Sequence, residues 1–223
     1  MDISSAIRAV VIPDSAELED GTLVRCEVSD PPASDIEVAV NDPGWGTLRE
    51  LRFKGPPSSR PSGKRRIDLV LAPAMNSLRT LRGLAWPEFS QLCKHNSAVP
   101  IELVEFEWGP GEHVVTRLQE TRSLPQLRHL IVRAPGSFDE RVGPLFDQMA
   151  AWGRPIDCMQ LITGTSLANR HNVALSVELD EGTRLIVATV QPGVTDADIR
   201  EISSGFGFPQ PSRIETAKSK EPL

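Results

Sequence analysis

The sequence predicts an α/β fold, an irregular solenoid of strand–helix units with a curved, mainly parallel sheet and a C-terminal antiparallel hairpin cap. Three observations predict it. One apolar arrangement recurs from residue 48 onward, helix signals fall between several of its copies, and strict apolar/polar alternation replaces it near residue 173. The boundaries that follow are an N-terminal β-rich cap at 1–46, repeat units at 47–164, a hairpin and helix cap at 165–208 and a disordered tail at 209–223.

The recurring arrangement is an apolar residue, a second three positions on and a third two positions after that. It occurs at Leu48/Leu51/Phe53, Leu81/Leu84/Trp86, Leu103/Phe106/Trp108, Leu127/Leu130/Val132 and, more weakly, Cys158/Leu161/Thr163. Successive copies are offset by 33, 22, 24 and 31 residues, an irregular period centred on the length of a leucine-rich repeat. A single strand–helix unit cannot bury both of its apolar faces alone. Neighbouring units must stack and share one core.

Helix signals separate the copies. Pro87 suits a first helical position, Phe89, Leu92 and Cys93 share one face, and Asn96 and Pro100 stop the segment, which predicts a helix over 88–95. Val115 and Leu118 predict another over 112–121, ended ahead of Leu124-Pro125. Leu145, Met149 and Trp152 predict a third over 144–152, with Gly153 as terminator.

The flanking regions read differently. Segments 7–12, 23–28 and 36–40 look like three short strands, and 55–66 (GPPSSRPSGKRR) is a Pro/Ser/Gly-rich basic loop. Val173, Leu175, Val177 and Leu179 alternate, Asp180-Glu181-Gly182 turns the chain, and 183–190 returns it as a hairpin. Thr195 caps a helix over 196–204, and the polar tail past Pro209 is expected to fray.

Composition excludes several classes. A formal charge of −6 opposes general nucleic-acid binding, which needs a surplus of Lys and Arg. Three scattered cysteines, Cys26, Cys93 and Cys158, have neither disulfide nor metal-ligand spacing and read as reduced, buried thiols. No apolar run approaches a membrane span, and no leader-like start is evident, so a cytoplasmic or nuclear place is expected. No cofactor motif is present; Gly109-Pro110-Gly111-Glu112 lacks the Walker lysine and reads as a turn.

The units LRELRF at 48–53, LRTLRGLAW at 78–86 and LPQLRHLIV at 124–132 resemble the repeat region of the large fungal family of F-box/leucine-rich-repeat proteins. The similarity covers about 48–164. It implies a receptor surface for a protein partner, the part of an F-box-like adaptor that holds a substrate. Residues 1–46 do not look like the helical F-box that recruits ubiquitin-ligase machinery.

In a repeat sheet, the residues alternating with core positions face outward. That places Glu50, Arg52, Glu105, Glu107, His129, Ile131, Gln160 and Ile162 on one exposed surface, with Glu50, Arg52, Glu105, Glu107, His129 and Gln160 the first choice for partner binding. Trp86 and Trp108 occupy core slots, and Trp45 plugs the first repeat. Lys64-Arg65-Arg66 reads as a solvated basic run. The four histidines stand alone, without metal-ligand spacing. Two other readings remain open: an α+β enzyme with Glu105, Glu107 and His129 as first suspects, and a truncated repeat protein without a maintained binding role.

Overall fold

The computed structural model describes residues 3–55, 66–107, 117–118, 121–134, 158–163, 173–180, 183–190, 192–205 and 210–216. The chain is a mixed α/β protein with a mostly parallel sheet, and it divides into two compact units. The first comprises 1–106 with 120–127; the second comprises 107–119 with 128–223.

The first unit opens with helix α1 (Ser5–Val10), strand β1 (Glu17–Glu19) and strand β2 (Thr22–Val28). Strand and helix then alternate: α2 (Ala33–Ala39), β3 (Glu50–Phe53), α3 (Ile67–Val70), β4 (Thr80–Leu84), α4 (Trp86–Lys94) and β5 (Leu103–Glu107). Strands β2, β3, β4 and β5 pair in parallel in that order, and β1 adds antiparallel to β2. A parallel neighbour requires a crossover, and each helix supplies one. Consecutive helices touch in the same order, α1 with α2, α2 with α3 and α3 with α4.

The register aligns Cys26 with Leu51, Leu51 with Leu81, and Leu81 with Val104. All four are buried, as are Leu23, Leu48, Leu78 and Ile101, each three residues upstream of its aligned partner. The true frame is therefore Leu23/Cys26/Val28, Leu48/Leu51/Phe53, Leu78/Leu81/Leu84 and Ile101/Val104/Phe106. The expected frames beginning at Leu81 and Leu103 start three and two residues late. In the second case Leu103 is only half-buried while Ile101 is fully covered. Gly83 accounts for the extra residue between Leu81 and Leu84, where the ladder shifts register. Its φ of +71° and the 2.1 Å that would separate an added Cβ from the Phe53 carbonyl oxygen admit only glycine.

Two of the three expected N-terminal strands are helices. Residues 7–12 contain a β-branched run, yet Ser4 caps the Ile7 N–H, and Ile7 and Val10 bury one face at helical spacing. Residues 36–40 fall largely in α2, entered after Pro32, with Ile36 and Ala39 buried. The third expectation holds as β2. Because β2 joins β3 in the same parallel ladder, no break falls at residue 46.

Several buried polar groups near the helix ends of the first unit find partners. Trp45, fully buried, donates its indole N–H to the Ala39 carbonyl at 2.8 Å, closing α2 and plugging the repeat as its sequence context suggests. Thr121 and Ser123 donate to the Cys93 and Leu92 carbonyls at 2.8 and 2.7 Å in the last turn of α4, where Leu92 also accepts the His95 N–H at 3.1 Å. Arg66, expected to be solvated, is buried: its Nε and Nη2 reach the two Glu88 carboxylate oxygens at 2.6 and 3.0 Å. Its guanidinium lies 4.7 Å over the Phe53 ring, and Glu88 also accepts the Ala85 N–H at the start of α4. Lys64 and Arg65 lie outside the described residues.

The second unit holds β6 (His129–Ala134), β7 (Cys158–Thr163), β8 (Val173–Asp180), β9 (Thr183–Val190), helix α5 (Asp196–Gly205) and β10 (Arg213–Thr216). β6 and β7 are parallel, and β8 runs antiparallel to both β7 and β9. The expected hairpin is thus present, with Val173 opposite Val190. Thr195 caps α5 by accepting the Asp198 N–H, while Asp198 accepts the Thr195 N–H at 2.8 Å. The expected disordered tail is corrected at 213–216, which form a strand parallel to β9. The helices expected over 112–121 and 144–152 lie largely outside the described residues; among those described, Arg117 and Leu118 are helical.

Candidate functional site

Parallel alignment of β2 to β5 puts the residues between core positions onto one face of the first unit's sheet. In register, Arg25 opposes Glu50, Glu27 opposes Arg52, and Arg52 opposes Arg82. The charges organise into a chain of ion pairs crossing all five strands. Glu17 meets Arg25 at 3.1 Å, Arg25 meets Glu50 at 3.1 Å, Glu50 meets Arg82 at 3.4 Å, and Arg82 meets Glu105 at 2.9 Å. Glu50 uses one carboxylate oxygen for each arginine. Arg82 has a like charge, Arg52, directly opposite. Its reach to Glu50 and Glu105 offsets that repulsion.

A second cluster lies beside the first. Glu27 sits 3.8 Å from Arg52 and 3.4 Å from Lys54, one carboxylate between two cations. Arg52 and Lys54 are 45% and 65% exposed, whereas the Glu105 side chain is only 4% exposed. The two clusters contain four carboxylates (Glu17, Glu27, Glu50, Glu105) and four cations (Arg25, Arg52, Lys54, Arg82), so their charges sum to zero. Exposed ion pairs such as Glu17–Arg25 contribute at most about 1 kcal/mol each, whereas the Arg82 pair compensates the buried Glu105 carboxylate and does hold the fold.

The residues expected on the binding face fare differently. Glu50 and Arg52 belong to these clusters; Glu105 does too, but it is buried rather than exposed. Glu107 and His129 are grouped with the second unit, Glu107 exposed and His129 half-buried. Ile131 is buried, contrary to its outward assignment. The backbone of Gln160 lies in β7, in register with Ile131 and Glu178. Trp86 begins α4 rather than ending a strand and is half-buried, 5.6 Å from the Phe89 ring and 6.0 Å from Phe106, which are stacked at 4.0 Å. Trp108 lies outside the described residues.

Five charged contributors escaped the sequence reading: Glu17, Arg25, Glu27, Lys54 and Arg82. A frame beginning at Leu23 would have turned Arg25 and Glu27 outward, and one beginning at Leu78 would have done the same for Arg82. Beneath this face, Cys26 is fully buried, and desolvation, aided by the neighbouring Glu27 carboxylate, pushes its thiol from 9.0 up to about 12. Cys26 is therefore a packing residue at neutral pH and a poor nucleophile. Among the described residues, no group of His, Cys, Asp and Glu is placed to hold a metal, and no helix is long and apolar enough to cross a membrane.

No protein-family model matches the chain, and no curated protein or solved structure does.

Proposed function

We propose that this chain is a non-catalytic protein-binding module, a leucine-rich-repeat-like stack whose charged sheet face receives a protein partner, as the receptor part of a larger adaptor would. The observation that carries the reading is the ion-pair chain from Glu17 to Glu105 laid across five aligned strands. Repetition of one frame at Leu23, Leu48, Leu78 and Ile101, with helices touching in sequence order, supports a solenoid in the first unit.

The two clusters sum to zero charge, and the row is laid out in alternating signs. Such a surface has no field to attract a polyanion, but it sets register and penalises mismatched partners through like-charge contacts. Arg52 and Lys54, the most exposed cations beside Glu27, are the first contact residues, together with Arg25. Glu50 and Glu105 act by orienting Arg25 and Arg82. Glu105, buried and held by Arg82, is poorly placed to act as a catalytic acid or base, which favours binding over the enzyme reading.

The test is affinity capture from cell extract, comparing the wild type with an Arg52→Glu, Lys54→Glu double variant. Both positions are exposed, so the fold should survive. Reversal leaves three carboxylates where one was shared, and at least one wild-type partner should be lost. Equal recovery of every partner by both forms would remove this face from the account.

A further inference from the structure

The two clusters of the charged face spend their charges differently. In the row, each carboxylate oxygen of Glu50 serves one arginine, Arg82 divides itself between Glu50 and Glu105, and Glu17 meets Arg25. Arg25 and Arg82 make hydrogen bonds of 3.1 and 2.9 Å to Glu50 and Glu105. Three carboxylates (Glu17, Glu50, Glu105) thus stand against two cations (Arg25, Arg82) in the row. The cluster beside it reverses the count: Arg52 and Lys54 share the single carboxylate of Glu27.

Glu27 cannot neutralise both cations. Its Oε1 lies 3.8 Å from Arg52, beyond hydrogen-bond distance, and its Oε2 lies 3.4 Å from Lys54. It is also the inner member, 26% exposed beneath cations that are 45% and 65% exposed. Across the ladder from Arg52 stands another cation, Arg82, whose own carboxylates are already engaged. The ten residues after Gly55, PPSSRPSGKR, contain no Asp or Glu to supply a second carboxylate. Arg52 and Lys54 both reach Glu27, so they lie on one face, two residues apart and about 7 Å along an extended chain.

We propose that Arg52 and Lys54 are the subsite of this face that receives a carboxylate from an acidic, extended segment of the protein partner; the inference rests on the receptor reading above and adds the sign of what is received. The local surplus is one positive charge, which one Asp or Glu side chain neutralises. A phosphodiester chain would also press its charge against Glu50, two residues before Arg52, and against Glu17. Arg52 presents a planar fork of donors that matches a carboxylate, and Lys54 adds a compact charge beside it. The Glu27–Arg52 contact is long and exposed, so engaging a second carboxylate sacrifices little.

The experiment titrates the isotope-labelled full chain at low ionic strength with the peptide acetyl-Gly-Glu-Gly-Glu-Gly-amide, with its Gln counterpart and with oligothymidylate, following backbone amide signals by NMR. The expected result is a saturable shift of the Arg52, Phe53 and Lys54 signals with the Glu peptide and none with the Gln peptide. An Arg52→Gln, Lys54→Gln double variant, with its other signals unmoved, should bind the Glu peptide at least about tenfold more weakly. Equal shifts from the Gln peptide, no saturable shift from the Glu peptide, undiminished binding by the double variant, or tighter binding of oligothymidylate at the same signals would each overturn the proposal. Loss of captured partners by the Arg52→Glu, Lys54→Glu form without any response to the Glu peptide removes this inference and leaves the receptor reading standing. A Glu-peptide response with every captured partner retained does the reverse.

Discussion

Arg66→Met removes the cation from a buried ion pair while keeping most of the aliphatic volume. Two guanidinium nitrogens now contact Glu88 at 2.6 and 3.0 Å, a third lies near the Ser29 and Lys54 carbonyls at 3.4 and 3.3 Å, and the group covers the Phe53 ring. Removing one member of a buried pair strands the other charge and costs about 3–5 kcal/mol, against a typical total stability of about 5–15 kcal/mol. Glu88 would remain 3% exposed, with the Ala85 N–H as a donor. Replacing both partners, as Arg66→Met with Glu88→Leu, removes the stranded charge and forfeits the capping acceptor, which is worth about 1 kcal/mol. The double variant should therefore be more stable than Arg66→Met alone by about 1–3 kcal/mol. Urea unfolding with linear extrapolation measures both. A loss below about 1 kcal/mol in the single variant would show that the pair is not desolvated as described.

Other substitutions probe the same unit. Gly83→Ala forces a side chain into a positive-φ site facing the Phe53 carbonyl, and an unfolding measurement should show a loss of about 2–4 kcal/mol. Ser123→Ala removes a buried hydrogen bond to the Leu92 carbonyl, which keeps the His95 N–H, and should cost about 0.5–1.5 kcal/mol by the same measurement. Cys26, raised from 9.0 to about 12 by burial, favours the folded state fully below pH 9 and loses that contribution as pH climbs from 9 toward 12. Mass-mapped alkylation near neutral pH should label Cys26 only after denaturant is added, and ready labelling in the native protein would contradict its burial.

Strands β3 to β6 were legible because apolar residues recur at strand spacing in and just before them, and the hairpin was legible from alternation. The frame within a strand was not. In LRTLRGLAW, Leu78, Leu81 and Leu84 stand three apart, so two frames fit equally until the Gly83 bulge selects one. The N-terminal helices were missed because Val10-Val11-Ile12 favours a strand locally, while packing of Ile7 and Val10 in a helix only six residues long wins. Arg66 was read as solvated because a basic run gives no hint of a carboxylate 22 residues away on α4. Outward positions such as Glu50 and Arg52 followed from alternation. Their pairing partners did not, since cross-strand ion pairs depend on a register that one sequence does not specify.

Parallel register of β2 through β5 underlies both the shared core and the charged face. Interstrand nuclear Overhauser contacts in labelled protein test it most directly. The account predicts parallel-type contacts aligning Cys26 with Leu51, Leu51 with Leu81 and Leu81 with Val104. Strong α-proton to α-proton contacts between these strands, the mark of antiparallel pairing, would contradict it.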